Sequence, residues 1–525
     1  MSEVVESSEV GGPEVGSSET ETSVELGQRV AARAETRLLI DGELTEAADG
    51  ATYRNTAPAT GLVLGDAAAA TARDMDRAIG AARRAFDETG WSTDRALRKR
   101  CLLQLQAALE SEKDHLREEL VAEVGCPTMA TGDAQLDWPL TESLRWPAAM
   151  VDDFEWERTL AGGGLFGPRN RRVVVKEAAG VVAAITPSNY PIEVILNKIG
   201  PALAAGNTVV LKPDPNTPWN AARLARLVAE KTDIPAGVLN VVTTPDNEVA
   251  GMLVDDPRVD LISFTGSTSV GRMLMRRGAA TMKRMFLELG GKSALIVTDD
   301  ADPVKAIMST IGACSHAGQA CAVNTRILVH RSLFDQVSVG AAEAYRQVPV
   351  GDPVLPETFV GPLISASQKQ KVLDLLARAR DGGAHFLAGG GEMDGLAEHL
   401  RGGNFVAPTL VTGLGNDAEL AREEVFGPVA LLIPFDTDDE AVRMANDNPF
   451  GLAGAVMSGS SERGNAIARR VRTGAIGVNG GMFYGADAPF GGYKNSGLGR
   501  QCGTEGFEQY LETKTIAERL PRGAV

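Results

Sequence analysis

Between Ala178 and Gly290 short apolar runs alternate with amphipathic stretches, and that alternation leaves few folds open. "AAGVVAAITP" and "NTVVLKP" are short apolar runs of the kind buried in a sheet, whereas "IEVILNKIGPALAAG" and "NAARLARLVAEKT" are helical. "GVLNVVTT", "EVAGMLVDD", "VDLISFTG", "TSVGRMLMRRG" and "RMFLELGG" continue the pattern. Strands alternating with helices predict a parallel sheet covered on both faces. Upstream, "LLIDGE" predicts a strand and turn. "ARDMDRAIGAARRAFDE" and "RALRKRCLLQLQAALESEKDHLREELVAEV" predict amphipathic helices. Downstream, "SALIVTDD", "RILVHR", "DQVSVGAAEAYRQ" and "AVRMANDN" repeat the mixture, so a second α/β domain is expected. No short-period repeat is visible.

A chain of 525 residues exceeds one ordinary core, so two or three domains are expected. A formal net charge of −17 argues against nucleic-acid or anionic-membrane partners, which need clustered positive charge. The five cysteines, Cys101, Cys126, Cys314, Cys321 and Cys502, are odd in number and lack CxxC spacing. That suits a reducing compartment and disfavours a disulfide framework or a zinc site, so no metal is expected. Residues 1–36 are rich in Glu, Ser, Gly and Val, without the apolar core of a signal peptide or the Arg-rich character of a transit peptide. They read as a disordered acidic tail. The longest apolar run, around Ala178 to Ile185, is too short to span a bilayer, and a cytoplasmic location is expected.

Three motifs invite misreading. "GGGLFG" (Gly162 to Gly167) matches GxGxxG but leads into the strand-like "PRNRRVVVKE" instead of a helix, so it reads as a glycine-rich turn beside an extended hairpin. "GGKS" at Gly290 to Ser293 lacks the earlier glycine of a phosphate loop, Phe286 standing in its place. His316 lies five residues before Cys321, but a Cys–His pair is defined in space, not in sequence.

Four distant segments fit one chemistry. "ITPSNYP" places Asn189 at the end of a strand, and "VVLKP" places Lys212 at a strand's carboxyl end, where ligands bind in open α/β sheets. "FTGSTSVG" is a strand, a turn and a helix start, whose free amides and Ser267 hydroxyl suit a phosphate. "LELGGKS" puts Glu288 before paired glycines that permit close backbone approach. A fifth segment, "SHAGQACAVNTR", holds Cys321 between small residues. Taken with "EEVFGPV", "NPFGLAGAV" and "APFGGYKNSGLGR", these motifs, in this order from about Leu38 to Leu520, resemble the NAD(P)-dependent aldehyde dehydrogenase superfamily.

The resemblance implies an α/β fold with a Rossmann-type cofactor domain, an α/β catalytic domain and a small β oligomerisation element. Its expected bounds are 37–156 with 176–289 for the cofactor domain and 290–485 for the catalytic domain. Residues 157–175 and 486–525 are expected to form the bridging element, as part of a homodimer or homotetramer. Cys321 then resembles the nucleophile, Glu288 the general base, and Asn189 with the Cys321 amide the oxyanion hole. Ile185, Thr186, Lys212, Gly266, Ser267, Gly271, Leu289, Glu424 and Phe426 correspond to the cofactor site, which takes NAD, with NADP possible. Tyr190, Val194, Asn197, Phe483, Tyr484 and Phe490 would line the aldehyde tunnel, a mixed and fairly aromatic set that suits a medium apolar or aromatic substrate. Relatives that pass the acyl group to coenzyme A generally lack the glutamate, so Glu288 implies a free acid as product.

Four positions depart from the family's common pattern. Ser188 replaces an aromatic residue in "PSNYP", and Pro215 replaces the acid three residues after Lys212. "TTPDNE" (Thr243 to Glu248) lacks the usual glycines, and His316 stands where many members have asparagine.

Overall fold

The computed structural model describes residues 21–161, 165 and 170–521. Five parallel strands form the centre of its first sheet: Val181–Ile185, Thr208–Lys212, Leu239–Val241, Leu261–Thr265 and Arg284–Glu288. Numbered along the chain, they lie side by side as 3-2-1-4-5. The order therefore reverses between Val181–Ile185 and Leu261–Thr265, which opens a crevice at their carboxyl ends. The Leu38–Ile40 and Glu43–Thr45 hairpin extends one edge antiparallel, and Gly497–Leu498 closes the other. Thr208–Lys212 is buried along its whole length, which is why it reads as an unbroken apolar run.

Helix Pro191–Ala205 follows the first of these strands and is buried at every residue. A helix enclosed on all sides needs no polar face. Its Glu193, Asn197 and Lys198 are exceptions that call for partners. Proline in the first turn and a left-handed Gly206 after the last residue mark its two ends.

The second sheet has seven strands, in the order His385–Ala388, Thr409–Thr412, Val429–Phe435, Asn324–His330, Ser293–Val297, Gly454–Met457 and Gly477–Val478. All its neighbours run parallel except the first pair. A third sheet joins Glu157–Leu160, Asn170–Ala178 and Leu511–Arg519, all antiparallel. The Gly162 to Gly167 turn lies almost wholly outside the described residues, but the strands flanking it form the expected hairpin.

Two sequence expectations need correction. Residues 1–20 of the expected tail lie outside the described residues, but the tail reading fails beyond them, because Ser23–Ala31 is a helix. Thr22 caps it with a full capping box, and Leu26 and Val30 pack with Val121, Ala122 and Trp219. The acidic composition masked a short apolar stripe. The segment 486–525 is also not one bridging element. Gly497–Leu498 pairs with Leu287 and Glu288 of the first sheet, and only Leu511–Arg519 joins the hairpin, which itself runs on to Ala178.

Candidate active site

Two strand ends define one side of the site. Ile185 ends the central strand beside Lys212, and the Thr186 amide donates to the Lys212 carbonyl at 3.2 Å. Lys212 is 9% exposed, and burial depresses its ammonium pKa while Asp214 opposes the shift. Across the crevice the Gly266 amide donates to the Glu288 carbonyl at 3.0 Å. Ser267 then caps helix Thr268–Gly278 and remains exposed. Gly271, one turn into that helix, lets it lie against Leu289; a Cβ there would stand 2.7 Å from the leucine. Thr186 Oγ1 and Thr265 Oγ1 are buried at this strand-order reversal without a hydrogen-bond partner among the described residues. A free helix N-terminus, a lysine and unsatisfied hydroxyls at the reversal fit the phosphates and ribose of a dinucleotide.

Cys321 follows a loop in which His316, Ala317 and Gly318 are all left-handed, with φ of 49°, 53° and 71°. Gln319 pins the loop. Its side chain accepts from the Ile364 amide at 2.8 Å and donates to the Pro362 carbonyl at 3.2 Å. Asn189 Nδ2 donates to the Gln319 carbonyl at 2.8 Å, and the Asn189 carbonyl accepts from Gln135 Nε2 at 2.8 Å. Asn189 is thereby tied to the loop that carries Cys321. Cys321 is half-buried, and desolvation, then the charges of Glu288, Glu424 and Glu193, pushes its thiol well above the ordinary range. The four other cysteines are free and buried. His316 is no partner for the thiol. It is buried, held neutral with its pKa depressed to about 4 by desolvation, and packs edge-on against Tyr190 at 5.3 Å.

Glu288 ends the last parallel strand and is 2% exposed, and neither carboxylate oxygen has a hydrogen-bond partner among the described residues. Desolvation raises its pKa to about 8, against the pull of Lys198 and Arg500. The next two glycines bind the site together. A Cβ on Gly290 would stand 2.2 Å from Glu424 Oε2, and one on Gly291 would stand 2.4 Å from the Cys321 carbonyl oxygen. The Gly291 amide donates to Glu424 Oε1 at 3.0 Å, and burial raises the Glu424 carboxyl pKa. Phe426, two residues on and left-handed at φ 53°, is held by Gln368 through its carbonyl at 2.9 Å.

Four of the expected tunnel residues, Asn197, Phe483, Tyr484 and Phe490, converge. Phe483 and Phe490 stack at 6.3 Å, and Tyr484 meets Phe490 edge-on at 4.9 Å. Asn197 Nδ2 donates to Tyr484 Oη at 3.2 Å, and Val194 lies on the same buried helix as Asn197. Sequence reasoning missed four residues here. Trp138 packs on Tyr484 at 5.2 Å, Gln501 donates to Tyr484 Oη at 3.1 Å, and Glu193 accepts from both Tyr484 and Asn197. Lys198 donates to Ser263 Oγ at 3.2 Å and lies over the Phe286 ring, its pKa lowered to about 7 by desolvation. Polar residues four and five positions apart in the otherwise apolar "IEVILNK" were the available signal.

A doubly wound crevice opening onto a loop-held thiol is the arrangement of a dinucleotide-dependent oxidoreductase that works through a cysteine. The chain belongs to the aldehyde dehydrogenase family, whose model matches residues 44–516. It is 40% identical over 467 residues to a 3-succinoylsemialdehyde-pyridine dehydrogenase of a Pseudomonas species, covering 87% of this chain and 93% of that protein. A crystal structure of betaine aldehyde dehydrogenase from Staphylococcus aureus with NAD+ superposes with a TM-score of 0.90 at 32% identity, over 95% of this chain and 97% of that one. The P. syringae indole-3-acetaldehyde dehydrogenase AldA with NAD+ gives 0.89 at 35% identity, over 95% and 100%. Among the described residues no helix is long and apolar enough to cross a membrane.

Proposed function

We propose that this aldehyde dehydrogenase uses NAD+ to oxidise an aldehyde to the free carboxylic acid through a thioester on Cys321. Lys212, Ser267 and the free amides after it hold the phosphates and adenosine end, while Glu424 holds the nicotinamide ribose, with Phe426 beside it. Bound there, NAD+ supplies the acceptor for a hydride. The Cys321 thiol gives its proton to solvent water, the sulfur attacks the carbonyl carbon as thiolate, and the resulting oxyanion is met by Asn189 Nδ2 and the Cys321 amide. Loss of hydride from that carbon restores the carbonyl as a thioester. Glu288 takes a proton from water as the water oxygen attacks, the carbon–sulfur bond breaks, and the acid leaves.

The observation that carries this reading is the Glu288 carboxylate, buried and without a hydrogen-bond partner among the described residues. A structural ion pair would have satisfied it; a base waiting for water needs it free. The aromatic side chains of the tunnel favour a medium aldehyde with an apolar or aromatic body, in keeping with the pyridine-bearing substrate in the name of the 40% identical relative, and leave the polar end of that body to be chosen by other groups. Five unpaired cysteines support a reducing, cytoplasmic setting. The third sheet supports a homodimer or homotetramer, since a long exposed strand edge needs cover. Turnover in 18O-labelled water without coenzyme A tests the reaction. One labelled oxygen in the acid is expected, and acid formation that requires coenzyme A overturns it.

A further inference from the structure

Glu193 is a carboxylate on the fully buried helix Pro191–Ala205, beside Asn197 and Tyr484 of the expected tunnel. It is 5% exposed. Its Oε1 accepts from Tyr484 Oη and Asn197 Nδ2, two neutral donors. Its Oε2 has no hydrogen-bond partner, and no lysine or arginine forms an ion pair with it, among the described residues. The nearby cation, Lys198, is turned to Ser263 Oγ and the Phe286 ring. The charge of Glu193 acts on both the Cys321 thiol and the Glu288 carboxyl. Desolvation raises its carboxyl to about 7, against the hydrogen bonds from Tyr484 and Asn197 and the charge of Lys198, so a cation placed at Oε2 would favour the ionised form.

Resting on the reading of this tunnel as the aldehyde site, we propose that Glu193 selects aldehydes carrying a protonated amine, whose ammonium binds the free Oε2 between aromatic walls. The pieces suit that ligand. One oxygen is fixed by Tyr484 and Asn197, which orients the carboxylate and leaves the other for a donor. The rings of Tyr190, Trp138, Tyr484, Phe483 and Phe490 supply apolar packing for the carbon chain and negative faces for a cation. The same carboxylate repels an aldehyde that ends in a carboxylate. No transfer step beyond the reaction already described is involved; the contribution is to binding in the ground and transition states.

The test compares 3-aminopropanal, its uncharged isostere butanal, and succinic semialdehyde as an anionic probe, by kcat/KM for NADH formation. The wild type is expected to favour 3-aminopropanal over succinic semialdehyde by about tenfold or more, the scale of one charged hydrogen bond. In Glu193→Gln, which keeps shape and donors' partner, the ratio of 3-aminopropanal to butanal is expected to fall by about tenfold, and that of succinic semialdehyde to butanal to rise. A wild type that favours succinic semialdehyde overturns the inference even if the variant fails to fold. So do ratios that stay constant in the variant. Failure of the underlying reaction reading has a separate signature, a coenzyme A requirement for acid formation from butanal.

Discussion

Asn189 Nδ2 donates to the carbonyl of Gln319, two residues before Cys321, at 2.8 Å. The bond ties the strand end of the first sheet to the thiol loop of the second, and it consumes one of the two Nδ2 protons. The other remains for an oxygen that becomes negative only after the thiol attacks. Asn189→Ala removes both the tie and the donor, and its burst of NADH is expected to slow by about 10²- to 10³-fold. Asn189→Asp keeps the size but sets an acceptor against the oxyanion, and should be at least as slow. Stopped-flow NADH formation reads both. A burst of wild-type rate in Asn189→Asp overturns the assignment.

Cys321→Ala is expected to abolish NADH formation while cofactor binding, read by fluorescence titration, persists. Glu288→Gln separates the two halves of the reaction. It should give one rapid equivalent of NADH and then stall, with the acyl group retained on Cys321 as an enzyme mass increase. Normal turnover in Glu288→Gln means that another group activates the water.

Glu288 also sets the pH dependence. A general base works ionised, and burial raises this carboxyl to about 8, so most molecules are protonated at neutral pH. Deacylation of preformed acyl-enzyme should therefore rise about tenfold per pH unit below that value and level off above it. Quenched-flow deacylation across the neutral and alkaline range checks the midpoint. A midpoint near the ordinary glutamate value of about 4.3 overturns the raised pKa of Glu288.

Most of this fold was legible because its strands are buried on both faces and its helices are amphipathic, so residues such as Val209 to Leu211 and Ala72 to Glu88 declare themselves by period. The helix at Ser23–Ala31 did not, because its two large buried apolar residues, Leu26 and Val30, make too short a stripe to rise above an acidic composition. Gly497–Leu498 was equally hidden, since a two-residue strand has no periodicity and its partner, Leu287 to Glu288, lies some two hundred residues away. At the site, the motifs indicated Cys321, Glu288 and Asn189. Glu193 and Lys198 were lost inside a helix whose apolar run looked like core, and only their polar partners, Tyr484 and Asn197 for Glu193 and Ser263 for Lys198, set them apart.

The strand Leu511–Arg519 pairs with Asn170–Ala178 along one edge only, and eight of its nine residues are exposed. A free edge of that length invites pairing, and Ile516, 52% exposed, is the apolar residue upon it. A homodimer or homotetramer at micromolar concentration is the expected outcome of sedimentation velocity. Ile516→Lys, which places a charge on the covered face, should shift the distribution towards monomer without lowering the melting temperature of the monomer. A stable wild-type monomer refutes the pairing.

Cofactor choice is expected to turn on Pro215. The turn that presents it is firmly built: Asp214 Oδ1 accepts from the Asn216 amide at 2.9 Å and from Asn216 Nδ2 at 2.8 Å. Helix Pro218–Lys231 then starts with Glu123 accepting from the Trp219 and Asn220 amides at 3.1 and 3.0 Å. An acid in place of Pro215 would accept from the adenosine ribose hydroxyls and repel a 2′-phosphate, and proline does neither. Lys212 remains as a positive charge for a phosphate, while the negative charge of Asp214 stands close to it. Losing one charged hydrogen bond, roughly 1.5–3 kcal/mol, erodes NAD preference by roughly one to two orders of magnitude. No arginine flanks the turn in sequence to clamp a 2′-phosphate, so NAD is expected to stay the main cofactor with measurable NADP use. Pro215→Glu should widen the gap by lowering kcat/KM for NADP most. Steady-state kinetics with both cofactors in the wild type and the variant decide the matter. A wild type that already rejects NADP by more than about a thousandfold, roughly 4 kcal/mol, rules the argument out.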